Sequence, residues 1–456
     1  KDKNGYVWTK ARGTQNVKNI WPQHATGATM LTVLRKVALQ KGVNILNHIY
    51  IYDLLKGKKG RISGVVGISL KDRKNYLIHS KAVILATNSG GFRGHHLASE
   101  LQGTGPFMAY DAGARIKNPE FHYINIRPAK HEVEGSGIMP AIGAKWINAK
   151  GELYMEKYDP VLKDRAPTSK IIVAAAKEAM KGNAPVAINV EGMTDEQREK
   201  FRMLQVSHGW MPILFDKCKR EEGYDILEDN IEWQPAYESN KLGIDADVNC
   251  QTSLEGLYAA GMARTLGVNP FTGWSIASST WSGFTAGNSA AKYTMEVDYE
   301  DIDFDYVVSR TNSFFAPLQN EFNENPDRMV TELQKILFPA DVLILMNEPR
   351  LKEALSKVLE LKQEKLPGLH ATDIRTLVKV KEAQTMVLAA EMSLKGAIMR
   401  KESRPNIFYR EDYTSADDNW LKWLIVQIDD SGEMNFSTQD IPFDQYKFRP
   451  ENPALK

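Results

Sequence analysis

The chain has 456 residues, of which 43% are hydrophobic, so it can bury a sizeable core and divide into two or three domains. Its 58 Lys and Arg residues balance 57 Asp and Glu, and the formal net charge of +1 argues against a nucleic-acid surface or a polybasic membrane anchor. The longest apolar runs, such as DVLILM at residues 341–346, are far shorter than the roughly 20 residues that cross a bilayer. We expect no nucleic-acid partner and no direct membrane insertion.

The first half of the chain alternates between helical and strand patterns. From Gly27, the sequence GATMLTVLRKVALQKG predicts a helix with Leu31, Leu34 and Val37 on one face, which Gly42 ends. NHIYIYDLL, RISGVVGISL and NYLIHSKAVILAT then predict strands. After Gly91 the pattern changes to loops and to the helical SKIIVAAAKEAM and DEQREKFRML, which indicates an inserted domain.

The second half begins with strand character at LEGLYAAGMA, residues 254–263, and is followed by a Gly- and Ser-rich segment. The last part is helical from about Pro326 to Met399, with breaks at Pro339 and at Pro367. Cys218 and Cys250 have no Cys or His at metal-ligand spacing, so we expect no bound metal or iron–sulfur cluster. So few thiols favour a reducing compartment, and we expect a cytoplasmic location. The chain starts without Met, so a targeting segment could precede it.

Two apolar strands run directly into turns of small residues. The first is KAVILATNSGGF at residues 81–92, and the second is GLYAAGMA at residues 256–263, about 170 residues later. Such turns let a ligand touch the backbone, and free N–H groups at a strand-to-helix turn suit a pyrophosphate or a reduced flavin. The order of the two turns implies a flavin dinucleotide.

Six collinear motifs resemble the fumarate reductase/succinate dehydrogenase flavoprotein superfamily, which also holds L-aspartate oxidase and the adenylylsulfate reductase α subunit. They are HATGATMLTVLRKVALQKGVNIL, SKAVILATNSGG, MAYDAGARIKNPEFHYINIRP, GELYMEKYDP, GIDADVNCQTSLEGLYAAG and RKESRPNIFYREDYTSADDNWLK. The resemblance implies an α/β fold: an FAD domain of the two-dinucleotide-binding type, an inserted α+β capping domain and a helical C-terminal domain. The implied limits are 1–104 and 241–295 for the FAD domain, 105–240 for the cap and 296–456 for the helical domain with its tail.

The same resemblance assigns the cofactor contacts. FAD is expected to contact Ala86, Thr87, Asn88, Gly90, Gly261, Met262, Gly273, Trp274, Ser275 and Ile276. Met262 stands where the family usually has a ribityl-binding Glu, and Trp274 replaces a small polar residue beside the flavin. No Gly-x-Gly-x-x-Gly fingerprint occurs in the 456 residues. We expect that a preceding segment, in preference to another polypeptide, supplies this unit.

The substrate positions depart from the family pattern. His122 matches one family histidine, whereas Thr168 and Pro270 occupy the positions of two carboxylate-binding arginines and Glu238 that of a second histidine. Each lost charge-assisted contact is worth about 1.5–3 kcal/mol, so two lost arginines remove roughly 10²- to 10⁴-fold in affinity. We expect His122 and Glu238 to be catalytic, sharing a proton near neutral pH, on a small-molecule substrate other than fumarate or succinate.

Alternatives stay open at this point. His122 could be structural and Glu238 an exposed loop carboxylate. The chain could be an adenylylsulfate reductase α-like subunit, or a flavin-carrying electron-transfer subunit whose active site no longer acts on a substrate. The partner that the family resemblance implies is an iron–sulfur electron-transfer subunit, because the chain lacks cysteines for a relay of its own.

Overall fold

The structure is a computed structural model. It describes residues 8–10, 18–20, 27–94, 101–130, 139–206, 216–265, 274–321, 323–404 and 408–445. The chain forms two compact units. Unit 1 contains Lys1–Asn47 and Ile124–Ala236, and unit 2 contains His48–Tyr123 and Tyr237–Lys456.

The strands of the described residues are, in chain order, β1 (Trp8–Lys10), β2 (Lys18–Ile20), β3 (Ile49–Lys56), β4 (Ile62–Ser69), β5 (Asn75–His79), β6 (Val83–Leu85), β7 (Ile116–Lys117), β8 (His122–Pro128), β9 (Lys145–Ile147), β10 (Val186–Asn189), β11 (Glu232–Asn240), β12 (Gly243–Ile244), β13 (Leu257–Ala259), β14 (Lys422–Ile428) and β15 (Met434–Asp440). The α-helices are α1 (Gly27–Gln40), α2 (Thr104–Asp111), α3 (Met155–Tyr158), α4 (Thr168–Met180), α5 (Asp195–Val206), α6 (Trp274–Glu296), α7 (Phe304–Phe315), α8 (Pro326–Leu337), α9 (Ala340–Leu343), α10 (Glu348–Glu360) and α11 (Ile374–Met399).

Unit 1 is built on the four-stranded sheet β8-β11-β10-β9. Trp146 and Trp233 are fully buried on it and meet edge to face, 5.9 Å between ring centroids. Helix α4 begins directly after Pro167, and its apolar residues Ile171 and Ile172 are buried. Both helices predicted in this part of the chain, α4 and α5, are confirmed.

Helix α1 confirms the first predicted helix, but its apolar face is not buried. The chain turns at Gly42, where φ is 82° and the N–H donates to Leu39 O at 3.0 Å. Leu31, Leu34 and Val37, which share this face, are 63%, 57% and 41% exposed. Amphipathic spacing predicts the helix, because the repeat is local, but it does not identify a partner for the apolar face.

The described residues of unit 2 form three sheets. The strands β3-β4-β5 are antiparallel neighbours, β6 pairs with β13 in parallel, and β12-β7-β14-β15 form a four-stranded sheet in that order. The apolar runs that predict strands in residues 48–85 and 254–263 correspond to β3 to β6 and to β13. The hairpin of β14 and β15 was not predicted.

Four helices of unit 2 begin at side-chain caps. Asp303, Asn325, Asn347 and Asp373 accept a hydrogen bond from a backbone N–H in the first turn of α7, α8, α10 and α11, respectively. The predicted helical region 326–399 is confirmed, and its helices end near the two predicted proline breaks. Among the described residues, no helix combines the length and the apolar character needed to cross a bilayer.

A buried ion network joins α11 to the residues before β8. Arg400 is 1% exposed, and its guanidinium contacts Glu120 and Glu402, both fully buried, at 2.7 Å each. Arg404 binds the same Glu402 carboxylate at 2.7 Å. Breaking such a network leaves an uncompensated buried charge, so it strongly favours this one arrangement of the chain.

Candidate functional site: the ends of two parallel strands

The two small-residue turns lie side by side in unit 2. Leu85 of β6 pairs with Ala259 of β13, and the N–H of Ala260 donates to Leu85 O at 2.9 Å. Both strands therefore end at the same edge. The predicted cofactor residues Ala86 and Gly261, distant in sequence, follow these strand ends directly. Ligands of α/β folds bind at the carboxyl ends of parallel strands.

The backbone of both turns is accessible. Ala86, Thr87 and Asn88 are exposed, and Asn88 adopts a left-handed conformation with φ of 74°. Gly261 also has a positive φ of 61°, and among the described residues a Cβ at this position would meet only Ser279 Oγ, at 3.8 Å. A side chain would project into this open space. The turns thus leave room for a ligand to approach the main chain, and the residues present fit a dinucleotide.

The expectation of free amides at the second turn is only partly met. The N–H of Gly261 donates to Ser282 Oγ at 2.9 Å, and Ser282 in turn donates to Ser278 O at 2.6 Å. The amide of Gly261 is therefore already satisfied by α6. What Gly261 can offer a ligand is therefore the open space beside its Cα, and not a free hydrogen-bond donor.

An apolar pocket of about 360 Å³ lies alongside β6 and reaches Thr87. Ile51, Val83 and Met108 are among its lining residues. The side chain of Thr87 packs so closely on α2 that a Cβ at Gly105 would overlap Thr87 Oγ1. Gly105 consequently lets α2 approach the first turn, a role that the sequence motifs did not reveal.

The remaining cofactor positions lie around the start of α6. Met262 is half-buried in a short 3₁₀ turn, Gly261–Ala263. Ser275 and Ile276 are exposed in the first turn of α6, Ile276 to 63%. Gly273, like Pro270, lies outside the described residues, and so does the side chain of Trp274. Flavin contacts at 273–276 stay a prediction.

Asn240 connects the first turn to the strand that carries Glu238. Its N–H donates to Gly90 O at 3.0 Å, and its Oδ1 accepts from the N–H of Gly90 at 3.2 Å. A Cβ at Gly91 would lie 3.2 Å from Glu238 O. The structure thus brings Gly90 and the backbone of Glu238 together. Sequence motifs missed Asn240, because a pairing over 150 residues has no local signal.

Lys241 is a charged group that the sequence analysis also missed. Its N–H donates to Phe121 O at 2.8 Å, and its ammonium lies 4.7 Å from the ring centroid of Tyr123. Burial lowers the pKa of Lys241, and the negative charge of Glu238 opposes this shift. The half-buried Glu238 is therefore close enough to Lys241 for its negative charge to act on the ammonium.

His122, the first residue of β8, occupies an apolar environment. Its ring centroid lies 5.7 Å from that of Tyr237, and its Nδ1 is buried without a partner among the described residues. Burial lowers the pKa of His122 to about 4, so the imidazole is neutral at pH 7. This differs from the expected imidazolium that shares a proton with Glu238. A catalytic role for His122 and Glu238 stays a prediction.

Sequence models of two families match this chain. The one described as "FAD binding domain" covers residues 2–275, and the one described as "Fumarate reductase flavoprotein C-term" covers residues 330–454. Together they include both strand-end turns and the helices α9, α10 and α11 of unit 2.

The chain is similar to several curated proteins. It is 26% identical to an uncharacterized FAD-dependent oxidoreductase of Methanocaldococcus jannaschii, over 84% of this chain and 70% of that protein. It is 24% identical to one subunit of the fumarate reductase (CoM/CoB) of Methanothermobacter marburgensis, over 88% of this chain and 73% of that protein.

Solved structures share the fold. A quinol fumarate reductase of E. coli aligns over 100% of this chain and 81% of its own, with a TM-score of 0.86 and 21% identity. Adenylylsulfate reductase of Archaeoglobus fulgidus aligns over 92% and 76%, with a TM-score of 0.76 and 23% identity. These similarities confirm the expected α/β fold with its FAD domain and C-terminal flavoprotein domain. The chain therefore belongs to the fumarate reductase/succinate dehydrogenase family of flavoproteins and is an FAD-dependent oxidoreductase.

Proposed function

We propose that this chain is the flavin-carrying subunit of an oxidoreductase whose substrate is a small molecule with less negative charge than fumarate or succinate. The observation that carries this proposal is the position of Glu238. Its carboxylate stands where the family resemblance expects a histidine, and its charge acts on the half-buried Lys241. A substrate dicarboxylate would have to compete with Glu238 for this cation and would be repelled by the Glu238 carboxylate.

Thr168 supports the same proposal. It is the first residue of α4, at a position that the resemblance assigns to an arginine. Threonine can donate one hydrogen bond but carries no charge, so it replaces a bidentate, charged contact by a weaker neutral one. Domain limits of 105–240 for the cap and 296–456 for the helical domain are part of this proposal.

The direct test is turnover by the FAD-loaded protein. With reduced viologen as the electron donor, fumarate should be reduced at the background rate of free flavin. A fumarate turnover like that of the fumarate reductases measured beside it would overturn the proposal.

A charge variant makes the test more specific. Glu238→Gln should strengthen binding of a dicarboxylate roughly tenfold, read from the flavin difference spectrum, because it removes a like charge. Glu232→Gln changes an exposed carboxylate of the same strand and should leave that affinity unchanged. If the unaltered protein, Glu238→Gln and Glu232→Gln bind the dicarboxylate with equal affinity, Glu238 does not face the substrate.

A flavin-carrying electron-transfer subunit without a substrate is the second candidate, and the environment of His122 favours it. A histidine whose pKa is about 4 is a neutral imidazole near pH 7, so it cannot act there as the imidazolium acid that a proton transfer to substrate would need. In this case no carboxylate, ketone or enone in a substrate panel would reoxidise the reduced flavin, whereas one-electron acceptors would. The first candidate requires at least one such organic acceptor.

An iron–sulfur electron-transfer subunit is the proposed partner. Several relatives are named as subunits, among them the fumarate reductase flavoprotein subunit of Haemophilus influenzae. Cys218 and Cys250 are both buried and lie in different units. Affinity purification from the source cells should recover iron and acid-labile sulfide with the chain. Recovery of the flavoprotein without iron under anaerobic conditions would contradict this partner.

A further inference from the structure

A small cavity lies inside unit 2, behind the ring of His122. It leaves about 20 Å³ for the centre of a water-sized sphere. Phe92, Leu343 and Leu394 are among the apolar residues that enclose it, and no Lys, Arg, Asp or Glu of the described chain lines it. A cavity needs about 10–15 Å³ by this measure to hold one water molecule, so the space suits one water and no larger ligand.

Three polar residues from separate elements line this cavity: His122 of β8, Tyr237 of β11 and Ser393 of α11. His122 Nδ1, Tyr237 Oη and Ser393 Oγ are each buried without a hydrogen-bond partner among the described residues. Tyr237 is 2% exposed and Ser393 is 4% exposed. Buried polar atoms are nearly always hydrogen-bonded, and three orphans around one cavity are not expected by chance.

The chemistry of the three groups matches water. Both hydroxyls can donate or accept, and neutral imidazole can do either through Nδ1. A water molecule offers two donors and two acceptors, so it can satisfy all three atoms at once. An ion does not fit, because no charged group among the described lining residues balances it.

We propose that His122, Tyr237 and Ser393 bind one internal water molecule in this cavity. The water joins β8, β11 and α11 through a single hydrogen-bonded centre. The water also forms a hydrogen bond with Nδ1 of His122, so this nitrogen is not available to a substrate. Any contact of this imidazole with substrate must go through its other nitrogen, Nε2. The water site is independent of the proposed function, because it exists with or without turnover.

Stability measurements distinguish a wet cavity from a dry one. In the FAD-loaded full chain, Tyr237→Phe should lower the midpoint of thermal unfolding, because the water loses a partner. If the cavity is dry, the same change removes an unpaired hydroxyl, and the midpoint stays or rises. Tyr154→Phe is the matched control, since Tyr154 is 3% exposed, has an Oη without a partner among the described residues and does not line this cavity. Its midpoint should stay or rise.

A double-mutant cycle tests whether one water is shared. Ser393→Ala and Tyr237→Phe should be non-additive, the second change costing less than the first, because both act on the same molecule. Tyr237 Oη and Ser393 Oγ have no direct hydrogen bond to each other in the described part of the chain, so additive effects would contradict the proposal. A crystal structure of the unaltered protein should show a density peak roughly 2.6–3.2 Å from all three atoms. An empty cavity there would overturn the water site without bearing on the substrate.

Discussion

Asn240 and Gly90 form two hydrogen bonds with each other: the N–H of Asn240 donates to Gly90 O, and the N–H of Gly90 donates to Oδ1 of the Asn240 side chain. Asn240 is fully buried, and a Cβ at Gly90 would lie 2.8 Å from its Nδ2. The pair therefore fixes the turn after β6 against the end of β11. The geometry of the turn depends on an amide that is 150 residues away in sequence.

Asn240→Ala should loosen this turn and reduce FAD retention. It leaves the N–H of Gly90 without a buried partner, which costs about 1–3 kcal/mol. The measurements are the flavin-to-protein absorbance ratio after gel filtration and the free energy of unfolding in urea. Asn435→Ala, at an exposed position of β15, should change neither. Full flavin retention by Asn240→Ala would mean that FAD binding does not depend on the hydrogen bonds between Asn240 and Gly90.

Gly261→Ala should weaken FAD binding more than it lowers stability. A Cβ would enter the open space beside the turn, and a positive φ costs an L-residue roughly 1–2 kcal/mol. Gly432→Ala is a matched control, because Gly432 has φ of 84° with nothing within 4 Å and lies in the hairpin of β14 and β15. Both variants should lose similar stability, measured in their FAD-free forms. Only Gly261→Ala should raise the Kd for FAD; similar Kd values for the two would place FAD away from Gly261.

Stability should fall as the pH drops from about 6.5 to 4, in part because of His122. Burial lowers the pKa of this histidine to about 4 from the usual 6.5, so in this range the unfolded chain binds a proton that the folded chain does not. The stabilising contribution is complete above pH 6.5 and is lost as the pH falls towards 4. The full shift corresponds to about 3 kcal/mol.

The difference in unfolding free energy between the unaltered protein and His122→Phe isolates this effect from other titrating groups. That difference should change with pH between about 6.5 and 4 and stay flat between about pH 7 and 8. A flat difference over the whole range would mean that His122 titrates normally in the folded protein.

Arg400→Met should destabilise unit 2 by about 3–5 kcal/mol, because Glu120 and Glu402 would keep buried charges without their partner. Lys401→Met replaces the next residue, which is exposed, and should change stability by less than about 0.5 kcal/mol. Urea unfolding of both variants gives the comparison. Similar losses in the two would contradict the importance of the network.

The elements that could be predicted from the sequence are those whose signal is local. The β-branched run that forms β4, and the breaks at Pro339 and Pro367, depend on neighbouring residues only. Family motifs added FAD and the two turns, which the pairing of Leu85 with Ala259 brings together.

Features that depend on tertiary contacts could not be predicted in this way. The neutral state of His122 results from burial among residues of three distant segments, and no motif contains that information. Lys241 has the same local sequence signal as an ordinary surface lysine, so its lowered pKa is evident only once its burial is known. The hairpin of β14 and β15 was missed because its second strand, MNFSTQD, is largely polar.

The parallel pair of β6 and β13 has a consequence for synthesis of the protein. The two turns that are expected to contact FAD, after β6 and after β13, are separated by about 170 residues of chain. The first turn therefore emerges from the ribosome long before the second. Contacts of such high sequence separation form late, because the loop between them must close first. FAD should therefore bind only after most of the nascent chain has been released. It should not assist the folding of β6 and its turn before β13 has been synthesised.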